Sequence, residues 1–167
     1  MKNILFILLL TPVLCLAKKD PCSKIIREQV QDKTVCKSPE LKHITIIKQP
    51  GADSVFVALI HFTVESARFD EKGLSVEFED GTLVQDSIAK IYCQQENAVV
   101  MAANGNTMAN NGKYLLQGFL KINADNIAAF SSKKIVSVRL SNISRKVSSK
   151  EALKVMIYVN CLKHVLG

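Results

Sequence analysis

The stretch FDEKGLSVEFEDGT, Phe69 to Thr82, carries Asp70, Glu71, Glu77, Glu79 and Asp80, five of the chain's fifteen acidic residues in fourteen positions. A calcium site needs several oxygens converging from one loop, in the manner of D-x-[DN]-x-[DN]-G. The spacing here is wrong for that, and no metal is expected. Glycoside hydrolysis needs two carboxyls facing each other across a cleft, about 5 to 9.5 Å apart. Glu77 and Glu79 stand at about that spacing as neighbours on one strand face, but nothing around them raises one pKa. A hairpin with a hydrated acidic face fits best. Leu74, Val76 and Phe78 alternate with Ser75, Glu77 and Glu79, and Asp80-Gly81 supplies a turn before TLVQ.

Nucleophilic and nucleotide chemistry find no support either. There is no G-x-S-x-G elbow, and neither G-x-G-x-x-G nor G-x-x-x-x-G-K-[ST] occurs. His43 and His61 fall in expected strands, and His164 falls at the end of a helix, where the dipole favours a cation. Structural roles are expected for all three. No catalytic residue and no cofactor is expected. The asparagine-rich segment NGNTMANNGK is a loop by composition, and its Asn104, Asn106, Asn110 and Asn111 are the candidate binding residues, since amides hydrogen-bond sugars and peptide backbones and loops on a rigid β scaffold carry binding.

The elements that position these residues begin with a leader. MKNILFILLLTPVLCLA gives one basic residue, an apolar run from Ile4 to Leu16 and a small final residue, the layout of a secretory signal peptide cleaved after Ala17. Lipidation at Cys15 is the rival reading; Leu14 stands where that signal wants a small residue. The apolar run is shorter than the roughly 20 residues a membrane helix needs, and no later segment reaches that length. A secreted or periplasmic location follows, with residues 18–167 as a single domain. Cys22, Cys36, Cys93 and Cys161 are then an even set in an exported chain, which allows three disulfide connectivities. The expected pairing is Cys22 to Cys36 and Cys93 to Cys161; absence of a C-x-x-C pair argues against zinc.

The mature chain carries a net charge of +6, with eight basic residues from Ser131 onward against Glu151 alone. Such asymmetry suits an anionic partner or a solvated lysine face. Lysine far outnumbers arginine and there is no Trp, which leaves little for bidentate phosphate contacts or base stacking. Nucleic acid is not an expected partner; a protein or surface polymer is.

The remaining pattern is mainly β. Residues 21–31 read equally as helix or strand. LKHITIIKQ is β-branched, and SVFVALIHFTV, Ser54 to Val64, is apolar on both alternating faces, so it is expected to be covered on both sides. AKIYCQQ and AVVMAA read as strands, as does KYLLQGFLKI, where Gly118 marks a bulge or close packing. NADNIAAF reads as one or two helical turns, and IVSVRLS as a strand with Val136, Val138 and Leu140 inward. Ser148 with Glu151 makes a capping box, opening an apolar helix at about 149–165 expected to pack on the strand from Ser54 to Val64. The fold class expected is an antiparallel β-sandwich or barrel-like domain closed by this helix.

KGLSVEFEDGTLV, GFLKINADNIAAFSSKKIVSVRL and KEALKVMIYVNCL, in that order, resemble small exported bacterial proteins of unknown function. That resemblance implies an antiparallel β domain with a closing helix and carries over no catalytic residue. The functional expectation is a non-enzymatic binding or structural module. A hydrolase of a cell-envelope polymer and a carrier of an apolar ligand are the alternatives.

Overall fold

The computed structural model describes residues 20–31, 33–49, 55–65, 69–95 and 113–164. The leader, the strand expected at Ala98 to Ala103 and the four candidate asparagines lie outside the described residues. A 3₁₀ turn, Pro21–Lys24, precedes β1 (Ile26–Val30), β2 (Lys33–Lys37), β3 (Ile44–Gln49), β4 (Val55–Val64), β5 (Lys72–Phe78), β6 (Leu83–Gln95) and β7 (Tyr114–Ile122). Then come α1 (Ile127–Ser132), β8 (Ile135–Leu140), β9 (Ile143–Lys146) and α2 (Ser149–His164). The ambiguity at residues 21–31 resolves into both forms in sequence. Asp20 Oδ1 accepts from the Cys22 amide at 2.9 Å and starts the 3₁₀ turn, after which the β-branched run takes over as a strand.

The nine strands of the described residues join one antiparallel sheet in the order β1-β2-β3-β4-β7-β6-β5-β8-β9. The fold is thus mainly β with a C-terminal helix. TLVQ and AKIYCQQ, expected as two strands, are one: β6 pairs with β5 through its first half and with β7 through Ile91 to Gln95. The sheet folds over on itself at β6. The turning point is a bulge, where the pairs Lys72–Lys90 and Leu74–Asp86 are out of step, Asp86 Oδ1 accepts from the Ile88 amide at 3.0 Å, and Gly73 takes a φ of +97°. Bulges sharpen strand bending in this way.

Where the halves meet, they meet closely. A Cβ on Gly118 of β7 would lie 2.7 Å from both Leu74 Cδ1 of β5 and Leu140 Cδ2 of β8, so close packing is the reason for this glycine. Leu74 and Leu140 are themselves buried and have little room to yield. Gly118→Ala should therefore destabilise by about 1 to 3 kcal/mol through overpacking, read as a lower urea midpoint.

The core lies inside this fold. It contains Ile44, Ile46, Ile60, Leu116, Val76, Phe78 and Phe130, with Ala152, Val155, Val159 and Leu162 along one face of α2. The helix packs on β3, β8 and α1, not along β4 as expected. Leu153 and Ile157 point away and are exposed. Along β8, Ile135 is buried and Val136 exposed, the reverse of the expected alternation. A register shift between Glu77 and Phe78 opposes Phe78 to Ile135 and leaves Val136 over, a one-residue change that reverses the face of the side chains before it.

The acidic hairpin forms as read. Phe78 is 1% exposed while Glu77 and Glu79 face out. The acids are nonetheless engaged by the α1–β8 connection and by β8: Lys133 Nζ meets Asp80 at 2.6 Å, Lys134 Nζ meets Glu79 at 3.8 Å, and Ser137 Oγ donates to Glu77 at 2.8 Å. The hydrogen bond from Lys133, aided by Thr82, holds the Asp80 carboxyl well below the usual carboxylate range. Among the described residues, no group of three His, Cys, Asp or Glu side chains is placed to hold a metal ion.

The disulfide differs from both expected pairs. Cys22 of the 3₁₀ turn is joined to Cys161 of α2, with Cα atoms 5.3 Å apart, because the turn docks against the end of the helix. Cys36 is free and buried; Cys93 is free and exposed. Four strand spacings separate β2 from β6, about 19 Å along the sheet and far beyond disulfide reach.

Candidate binding groove

Among the described residues, no further layer covers the second apolar face of β4, which was expected to be covered on both sides. With its neighbours it floors a groove of about 1090 Å³, lined by Thr45, Ile47, Leu59, His61, Leu115 and Gln117 and bounded by the 38–43 connection and by Arg145 and Lys146 of β9. Alternation explains the lining. Ile44, Ile46, Ala58, Ile60 and Leu116 are buried on the core side, so the intervening side chains emerge on the other face. The 38–43 connection is held by Ser38, whose amide donates to the Ile46 carbonyl at 2.8 Å and whose Oγ accepts from the Ile46 amide at 3.0 Å.

Two histidines stand side by side at one end. The β3–β4 register pairs Ile44 with Ile60, and one step further the His61 amide donates to the His43 carbonyl at 3.0 Å. Both rings are buried, at 7% and 9% exposure, and His43 Nδ1 and His61 Nε2 have no hydrogen-bond partner among the described residues. An unsatisfied buried polar atom costs about 1 to 3 kcal/mol, a cost these two nitrogens carry beneath the groove surface. His43 also packs edge-on against Phe62 at 6.3 Å, and the Arg145 guanidinium lies 5.3 Å over the same Phe62 ring.

The helix fastens this end of the groove. Ser148 Oγ caps α2 by accepting from the Glu151 amide at 3.2 Å, as the capping box requires. The reciprocal half is missing: Glu151 Oε1 instead accepts from the His43 amide at 2.6 Å, from a position 108 residues away in sequence. A carboxylate in the first helical turn is also favoured by the helix dipole. Burial pushes the His43 imidazole below its ordinary value of 6.5, against the upward pull of the Glu151 carboxylate and with Lys42 adding to the depression.

That depression has a defined sign. A folded-state pKa below the unfolded value means the unfolded chain binds more protons as pH falls, so the contribution of neutral His43 is full above 6.5 and is lost below it. Urea midpoints measured from about pH 7 down to about pH 5 should fall, with a slope from this group of at most about 1.4 kcal/mol per pH unit. His43→Gln should flatten that part of the decline.

The sequence points to structural roles for the histidines; the structure places two of them, buried, in the groove lining. A signal for the groove was present: a strand apolar on both faces with His61 interrupting its second face. The candidate asparagines lie outside the described residues. Of the basic C-terminal residues, Lys133 and Lys134 are engaged by the acidic hairpin, while Arg145 and Lys146 reach the groove. No family model, curated protein or solved structure matches this chain.

Proposed function

We propose that this chain is an exported, non-enzymatic binding module that takes its ligand in the groove over β3, β4 and β7. The carrying observation is the groove itself, a concave face of ligand-sized volume on the central strands of a rigid sheet. Among the described residues its one lining carboxylate is Glu40, which favours binding over two-carboxylate hydrolysis. Export is supported by the apolar leader and by the Cys22–Cys161 bridge, since disulfides persist in oxidising compartments. Among the described residues no helix is long and apolar enough to cross a membrane.

The test is a thermal-shift screen of a general fragment library against the wild type and Leu59→Trp, which fills the groove from an outward position. A ligand of the native state raises the melting temperature by mass action. Fragments that stabilise the wild type should lose that effect in the variant. Equal stabilisation of both proteins would place binding elsewhere and overturn the reading.

A further inference from the structure

We propose that the ligand is an acidic oligosaccharide, rich in uronic-acid residues, lying across the strands along the row His43, His61, Gln117 and Tyr92. This rests on the groove-binding reading above and adds the ligand class and its direction. The row follows from the registers. His61 is opposite His43 through their backbone hydrogen bond, Gln117 of β7 is opposite His61, and Tyr92 of β6 is opposite Gln117. Four adjacent strands at about 4.8 Å spacing give a track of about 14 Å with a hydrogen-bonding or aromatic side chain at each step.

The chemistry of the track selects among ligand classes. At one end Tyr92 and Phe119 are 49% and 46% exposed and meet edge to face at 5.9 Å. Exposed rings fixed on a rigid sheet offer flat apolar surface bordered by a polar tip, which suits the C–H face of a pyranose. Next come the amide of Gln117 and the hydroxyl of Thr45, beside the His61 and His43 rings, accessible donors and acceptors matched to a hydroxyl-rich molecule. An extended peptide would want main-chain groups of a free sheet edge, whereas β3, β4 and β7 are interior strands paired on both sides. An acyl chain would want an apolar enclosure, whereas this floor alternates polar and apolar groups in an open trough.

Charge completes the argument. Lys42, Arg145 and Lys146 border the histidine end, and Lys90 Nζ lies 5.6 Å over the Tyr92 ring at the other. Lys37 also lines the groove but is paired with Glu28 at 2.5 Å. Cations at both ends, against the carboxylate of Glu40 alone among the described lining residues, complement a ligand carrying repeated negative charge.

The experiment is calorimetric titration of the full mature chain with oligogalacturonate, its methyl ester, dodecanoate and oligoglutamate. Oligogalacturonate should bind. Its neutral ester should bind at least about tenfold more weakly, and added salt should narrow the gap by screening. Tyr92→Ala and Gln117→Ala should each weaken binding about tenfold while leaving the melting temperature near that of the wild type, because both side chains sit on the outer face. Equal affinity for acid and ester, or tighter binding of dodecanoate or oligoglutamate, would overturn the acidic-glycan inference and leave the groove standing. Absence of binding by oligogalacturonate would also overturn it, and the fragment screen then decides the groove reading separately.

Discussion

Replacing Cys22 and Cys161 together by serine is expected to lower the unfolding free energy by up to about 5 kcal/mol, the figure that loop-closure entropy predicts for a long bridge. The bridge spans 139 residues of sequence, tying the 3₁₀ turn at one end of the chain to the last helix. In the reduced unfolded chain these ends are free to separate, so most of the effect acts on the unfolded state. Domains of this size have about 5 to 15 kcal/mol in total, and the loss should be plain in guanidinium midpoints. Cys93→Ser, at an exposed free thiol, should cost within about 0.5 kcal/mol. A Cys36 and Cys93 double variant that lost more than the Cys22 and Cys161 pair would contradict this account of the bridge.

The second large effect belongs to the hairpin. Phe78→Ala should cost about 3 to 5 kcal/mol, because the ring is 1% exposed and meets Phe130 edge to face with centroids 5.2 Å apart. Truncation removes transfer energy and leaves a cavity between β5 and α1. Glu77→Gln, one residue away on the opposite face, should stay within about 0.5 kcal/mol, since its bond to Ser137 is exposed. A Phe78→Ala loss no larger than that of Glu77→Gln would show that the hairpin has its faces reversed.

What the sequence made legible was whatever depends on local period and capping. The alternation at Leu74, Val76 and Phe78, the cap at Ser148 and the turn at Asp80-Gly81 each read correctly because neighbours in sequence decide them. What escaped depends on pairing between distant segments. Unbroken alternation in the sequence places Val136 inward; the register shift against Phe78 is written in two strands at once. Nearness in sequence pairs Cys22 with Cys36, whereas docking of the 3₁₀ turn against α2 chooses Cys161. The Ser148–Glu151 spacing makes Glu151 half of a capping box, whereas its side chain's partner, the His43 amide, is 108 residues away. The groove escaped for the same reason. His43, His61, Gln117 and Tyr92 are spread over fifty residues and more of sequence, and only the strand order places them in a row.

The most direct test of the groove as the binding face is backbone amide shift mapping by NMR, using the stabilising fragments and oligogalacturonate as probes. The largest shifts should fall on Thr45, Leu59, His61, Leu115 and Gln117, extending to Tyr92 for the oligosaccharide and leaving the solvent face of α2 unmoved. Shifts concentrated on the acidic hairpin or along the exposed side of α2, with the β3–β4–β7 face silent, would contradict the account.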